Sequence, residues 1–314
     1  MPYKKRILIV GASNMDTSVT VLRFPDKGET LKDEGGISYA PGRGGANAAI
    51  ALAKLGATSV FATRIGLDLY GQKLYNYYKD SGIDTSFVKV DRDFSTGLSL
   101  SVREADGSLR RINFPGANEH LTTDAISEAV STAPDAVFIN FESGFQLAAK
   151  VAKIAAARRV PIFVDATPAN ANLALESLPE IEVFTLSDAD VKRYTGISMT
   201  TSQDAMRAAF AMRRKVTAKY IVINQGSRGA MIYDGKRCDV ISPQYFDKPV
   251  DLRAADEAFS ASLAAEYFAT GNIKESTKFA LFAAGVTASR FGASTSLPTR
   301  EEIVALMEEE SGKK

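Results

Sequence analysis

The residues of this chain that could do chemistry gather in short stretches near its two ends. Gly11-Ala12-Ser13-Asn14-Met15-Asp16 follows the apolar run Ile7-Leu8-Ile9-Val10 and sets an amide and a carboxylate two residues apart. In a parallel α/β sheet, ligands bind beyond the carboxyl ends of strands, where Asn14 and Asp16 would then sit. An amide and a carboxylate there can donate to and accept from neighbouring hydroxyls, which suits a polyol. An Asp after a strand also serves as a plain turn residue. Pro41-Gly42-Arg43-Gly44-Gly45-Ala46-Asn47 places three glycines ahead of a helical stretch. Glycines in such a turn let backbone N–H groups approach a ligand closely. Asn47 at the helix start doubles as a potential N-cap. Asp16 and Asn47 on two strand-end loops favour a sugar. A third stretch, Val250-Asp251-Leu252-Arg253-Ala254-Ala255-Asp256-Glu257, opens a helix expected over Glu257 to Ala269. Its acids are first-turn residues that favour the helix dipole.

Positioning these loops requires strands and helices in alternation. Short apolar runs rich in β-branched residues occupy Arg6–Val10, Val60–Arg64, Ala136–Asn140, Pro161–Asp165, Val183–Thr185 and Tyr220–Ile223. Between them, Asn47–Leu55, Leu69–Asp80, Phe145–Ala157 and Gln203–Lys215 carry apolar residues at spacings of three and four. That alternation predicts an α/β fold, a mostly parallel central sheet with helices on both faces. Leu98, Leu100 and Val102 alternate with Ser99, Ser101 and Arg103 before Asp106-Gly107 and Leu109 to Phe114, the pattern of a hairpin. Thr17 to Arg23 and Gly35 to Tyr39 supply two more short strands. The expected organisation is one domain over residues 1–314, with small β-sheet lid segments at about 17–40 and 96–114.

Composition narrows the function. Lys+Arg is 38 against Asp+Glu 37, a formal net charge of +1, and no polybasic block stands out. A nucleic-acid or membrane-surface partner is therefore not expected. One Cys and one His, Cys238 and His120, exclude an intrachain disulfide framework and leave no material for a His/Cys zinc site. The apolar run at residues 7–10 is too short for a secretory signal or a membrane span, so the cytoplasm is the expected location.

The chain resembles, nearly end to end, the ribokinase or PfkB family of carbohydrate kinases. Residues 41–49 resemble that family's Gly-Gly-Lys-Gly-Ala-Asn signature, with Arg43 where a Gly is usual and Gly44 where the Lys is usual. Ile65–Gly71, Ser81–Thr85, Thr96-Gly97, Gly116–Asn118, Asp165–Ala169, Gln225–Gly229 and Gly292–Pro298 follow its pattern in order. The resemblance implies a parallel sheet with a β-lid and a homodimer formed through the lid. It implies sugar contacts from Asn14, Asp16, Gly42, Gly45, Asn47 and Glu142. It implies nucleotide and phosphate contacts from Ser187, Asn224, Gly226, Gly229, Ala254, Ala255 and Asp256. ATP and Mg²⁺ would be required, and a monovalent cation is implied near Asp251 and Ser296, with Asp190 assisting metal binding.

Residues 251–259 align without gaps with the family's Asp-Thr-Thr-Gly-Ala-Gly-Asp-Ala-Phe, whose helix N-terminus forms an anion hole and whose last Asp is the base. Here the first Gly is Ala254, the second is Asp256 and the base is Glu257. Ala is sterically hostile where φ must be positive. A charge at Asp256 ~4 Å from the transferred phosphoryl would cost about 4 kcal/mol at an effective dielectric near 20. That is roughly three orders of magnitude in rate. Ser187, Asp190 and Asn224 also depart from the usual Thr-Pro-Asn-Glu-x-Glu and Thr. Two readings follow: an ATP-dependent kinase of a pentose or ketohexose with Glu257 as base, or a non-catalytic relative that binds a sugar or nucleoside as sensor or scaffold.

Overall fold

The structure, a computed structural model, describes the chain except at positions 1–3, 33–35, 107, 169, 171, 244–247 and 313–314. Gly35, Gly107 and Ala169 of the expected strand, turn and motif lie outside the described residues.

Two sheets form. In chain order the strands are β1 (Arg6–Val10), β2 (Asn14–Val21), β3 (Ile37–Gly42), β4 (Thr58–Gly66), β5 (Val88–Asp91), β6 (Gly97–Glu104) and β7 (Leu109–Phe114). They continue as β8 (Ala136–Asn140), β9 (Ile162–Asp165), β10 (Ile181–Ser187), β11 (Ala218–Asn224), β12 (Ala230–Tyr233) and β13 (Cys238–Ile241). The large sheet runs β13-β12-β11-β10-β9-β8-β1-β4-β5 and is parallel except where β12 pairs with β11 and β13. The helices are α1 (Gly44–Lys54), α2 (Leu69–Asp80), α3 (Thr123–Ser131), α4 (Phe145–Ala157), α5 (Asp188–Thr195), α6 (Ser202–Arg213), α7 (Ala255–Thr270), α8 (Ile273–Ala288) and α9 (Arg300–Gly312). Successive strand side chains take opposite faces. Thus Leu8 and Val10 join the core under α3–α6, while Ile7 and Ile9 join the core under α1, α2 and α7–α9. A strand covered on both faces must be apolar throughout, as β1 and β8 are.

The small sheet runs β3-β2-β6-β7. Its hairpin pairs Leu98 with Phe114 and Ser101 with Arg111. β2 lies parallel to β6, with Asp16 beside Ser99 and Ser18 beside Ser101. Asn14 and Asp16 therefore sit in a strand of the small sheet and not in a loop, because only residues 11–13 separate β1 from β2. α1 begins at Gly44 behind Arg43, which offers no side-chain cap, so Asn47 lies inside the first turn and is not the N-cap. α7 begins at Ala255, two residues ahead of the expected Glu257. No helix among the described residues is long and apolar enough to cross a membrane.

Candidate active site

A cavity of about 620 Å³ lies between the small sheet and the body. Asp16 reaches it from β2, Asn47 from α1, Glu142 from the turn after β8 and Glu257 from the first turn of α7. Glycines allow this convergence. A Cβ on Gly11 would lie 2.7 Å from the Gly45 Cα, and one on Gly45 would lie 2.6 Å from the Ala12 carbonyl oxygen. The start of α1 is thus pressed against the end of β1, and Gly45 acts through that backbone packing. A Cβ on Gly42 would lie 2.0 Å from the Asp16 carboxyl carbon, so Gly42 leaves the space that Asp16 fills. Asn14 does not line this cavity. Its amide donates to Ser99 Oγ (3.0 Å) and its Oδ1 accepts from Asn118 (2.8 Å), which spends it on tying β2 to β6 and to the turn at Asn118.

Two acceptors facing this region are buried without a partner among the described residues: Asp16 Oδ1 and Asn47 Oδ1. Leaving a buried acceptor unpaired costs about 1–3 kcal/mol, which a donating ligand recovers. Burial raises the Asp16 carboxyl above the usual range, against the Ser99 hydrogen bond and the positive charges of Arg111, Arg43 and Arg253. Glu142 is raised by burial too, opposed by Arg43, whose Nε lies 3.5 Å away, and by the Gly44 N–H that donates to it at 2.5 Å. Glu257 is pushed up to about 7, by burial first and then by the charges of Glu142 and Asp256. Behind it Asp165, which accepts from the Thr167 hydroxyl (2.9 Å), is raised well above the usual range by burial and by Glu257.

Of the residues proposed for the nucleotide side, Ser187 and Asn224 lie side by side at the ends of β10 and β11, whereas Ala254 lines the main cavity. Asn224 accepts from the Gly226 N–H (3.0 Å) and donates to Asp256 Oδ1 (3.0 Å). Asp256 reaches solvent, yet its crowded cleft and the charge of Asp190 raise its carboxyl. Asp190 is already committed: Ser187 Oγ donates to it at 2.6 Å in the α5 capping box, and Arg193 donates at 2.9 Å. A free metal-binding carboxylate is therefore not what Asp190 offers. Gly229 has φ 90°, and a Cβ there would meet the Ile241 carbonyl at 2.1 Å.

The expected cation site is filled by protein. Arg253 donates to Asp251 through Nε (2.8 Å) and Nη2 (2.5 Å), and the Gly292 N–H donates at 3.2 Å. Ser296 Oγ sits against the carbonyls of Gly292 (3.0 Å) and Ala293 (2.7 Å). Asp251 thus has a guanidinium where the resemblance implies an ion, and the residues present do not fit one. Among the described residues no three His, Cys, Asp or Glu side chains gather as a metal site.

The pattern of the pfkB family carbohydrate kinases matches residues 4–300. The chain belongs to that family. A ribokinase of Haemophilus influenzae is 28% identical over 311 residues, covering 97% of this chain and 99% of the relative. A ribokinase of Bacillus subtilis is 27% identical over 308 residues, covering 96% and 99%. The solved structure of Arabidopsis thaliana ribokinase complexed with ribose and ATP has a TM-score of 0.86 at 23% identity, covering 97% of this chain and 99% of that one. The ribokinase-like fold expected from the sequence is the one observed.

Two non-glycine residues stand out by their backbone. Ala254, where the resemblance implies a glycine, adopts φ 60° and ψ 6° as the residue capping α7. Arg43, at another such position, adopts φ 76°. Ala254 is left-handed, whereas Arg43, with ψ 154°, lies in a region that glycine alone adopts readily; each costs of order 1–3 kcal/mol. The sequence reading missed Ser99, Arg103, Arg111 and Asn113, which line the cavity from the small sheet. The signal was available. Period-two alternation places Ser99, Ser101 and Arg103 on the face opposite Leu98, Leu100 and Val102, and the polar face is the one turned to the cavity.

Proposed function

We propose that the chain is a slow sugar kinase: it holds a small sugar at Asp16 and Asn47 and transfers the γ-phosphoryl group of ATP to one of its hydroxyls, with Glu257 as base. The observation that supports this most is the convergence of Asp16, Asn47 and Glu257, from three elements distant in sequence, on one cavity. Sugar hydroxyls donate to the orphaned Asp16 and Asn47 oxygens. Glu257 takes the proton of the attacking hydroxyl as its oxygen bonds to the γ-phosphorus. The bond from that phosphorus to the bridging oxygen breaks, ADP leaves, and Glu257 returns the proton to solvent. A carboxyl titrating near 7 is suited to accept a proton at neutral pH.

Mg²⁺ would enter on the ATP phosphates, offsetting their charge, and needs only one or two carboxylates from the protein. The monovalent cation has no part in this reading, because Arg253 occupies Asp251. A homodimer and a cytoplasmic location accompany the proposal. Ile37, Tyr39, Ile112 and Phe114 lie on the small-sheet face turned away from the cavity, each about half exposed, and a second copy would cover them.

A second reading, sugar binding without transfer, is favoured by Asp256, whose charge faces the nucleotide side. A thermal-shift panel of sugars and nucleotides, followed by a transfer assay on whatever binds, decides between them. Slow product formation lost in Glu257→Gln supports the kinase. Turnover at about 1–100 per second would show that Asp256 does not hinder transfer. Sugar binding with no product, even over days, selects the second reading.

A further inference from the structure

A second cavity, of about 360 Å³, abuts the first and shares Arg103, Leu109 and Arg253 with it. Among the described residues its lining holds two arginines and the hydroxyl residues Ser18, Thr20, Ser38 and Ser101, and no carboxylate. Strand register explains its position. On the cavity face, Asp16 lies beside Ser99 and Asn113, and the next pair along the strands places Ser18 beside Ser101 and Arg111. Two residues of strand advance about 7 Å, the reach of a five- or six-carbon chain. A sugar hydroxyl at Asp16 therefore leaves the far end of the molecule at Ser18 and Ser101.

The hydrogen bonds there are arranged for an anion. Arg253 Nη1 donates to Ser18 Oγ (3.4 Å), and Arg111 Nε donates to Ser101 Oγ (3.3 Å). With their oxygens accepting from guanidinium groups, both serines have O–H groups left to donate. Across the main cavity four arginines face four carboxylates, but around Ser18 and Ser101 the positive charge is in excess. Asp251 is the carboxylate partner of both Arg253 and Arg103, the latter at a long 3.8 Å, so one negative charge serves two guanidiniums. No carboxylate is ion-paired directly with Arg111 among the described residues; it acts on Asp16 and Glu257 only across the cavity. A neutral sugar gives this cluster nothing to neutralise.

We infer that the substrate is an anionic sugar, a sugar acid or a sugar phosphate, whose carboxylate or phosphate is held by Arg103, Arg253 and Arg111 with Ser18 and Ser101. This rests on the sugar-kinase reading and narrows its substrate class. Guanidinium forks match both anions in geometry. The test is calorimetric binding, without ATP, of pentoses and ketohexoses, of their aldonic acids and of their terminal phosphates to the full chain. The expected result is that an acid or a phosphate binds roughly tenfold or more tighter than its neutral parent. The better of the two anionic arms names the anion. Arg103→Gln and Arg111→Gln should each collapse that preference, and rising salt should erode it. Equal or tighter binding of neutral sugars, or a preference unmoved in both variants, overturns the inference and leaves the sugar site standing. Failure of every sugar in the panel to bind, with Asp16→Asn indistinguishable from wild type, overturns the sugar-site reading itself.

Discussion

The two ends of the main cavity have fared differently. At the proposed sugar end, Gly42 makes room for Asp16, and Asp16 and Asn47 keep oxygens without a partner among the described residues. At the proposed transfer end, the resemblance implies side chains that differ from the usual motif. Ala254 still turns left-handed at φ 60°, although glycine would do so without strain. What holds it there is α7, whose Ala258, Phe259, Ala261, Leu263 and Ala264 are all buried. The helix packing exceeds the strain of one residue. Loop shape is thus a property of the fold, and the chemistry of the loop depends on charges that packing does not police.

Restoring the transfer end should have the largest effect. Ala254→Gly, Asp256→Gly and Glu257→Asp together should raise sugar-dependent ATP turnover, by up to roughly a thousandfold from the charge alone. Asp256→Gly should supply most of that gain in single-variant assays. A restored protein that binds sugar and stays inactive would move the fault to Ser187, Asp190 and Asn224.

The sugar end should break with one change. Asp16→Ala should weaken sugar binding by about ten- to a hundredfold, as hydrogen bonds of ~1–3 kcal/mol are lost, with melting temperature in the absence of sugar maintained. Unchanged affinity by calorimetry would separate Asp16 from the sugar.

Glu257 lies between the ends and should show in pH profiles. Its carboxyl is raised from 4.5 to about 7, so the folded state binds its proton more tightly than the unfolded state does. Its contribution therefore turns unfavourable as pH rises from about 4.5, and the cost is complete above about 7. Glu257→Gln should stabilise the protein at pH 8 relative to pH 4, by at most about 3 kcal/mol in denaturant melts. In wild type, turnover should rise with pH through about 7, as the base is freed. A flat profile would take Glu257 out of the proton transfer.

The smallest effects test strain and the filled cation site. Ala254→Gly alone should stabilise the fold by about 1 kcal/mol, a rise of roughly 2–4 °C in melting temperature. Exchanging K⁺ for a bulky organic cation should leave the wild-type melt unchanged, whereas Arg253→Ala should make it respond to K⁺. A wild-type response would show that the Arg253–Asp251 pair opens to admit an ion.

Periodicity made most of the scaffold legible. α2 and α4 match their expected bounds, because each carries an apolar stripe and a clear break at either end. The polar face of β6 was also written in the alternation of Ser99, Ser101 and Arg103, though its destination was not. Asn47 misled because an Asn beside a glycine turn looks like a cap, and only the observed start of α1 places it one turn inside.

Sequence by itself determined the α/β layering and the candidate residues Asp16, Asn47 and Glu257, since these are written in local pattern and residue type. Tertiary structure alone decided which side chains share a cavity. The parallel pairing of β2 with β6 sets Ser18 beside Ser101, residues far apart in the chain, and packing brings Arg253 onto Ser18 from 235 positions away. Such neighbours depend on strand register and helix packing, which arise from contacts between distant segments and leave no trace in the spacing of either one.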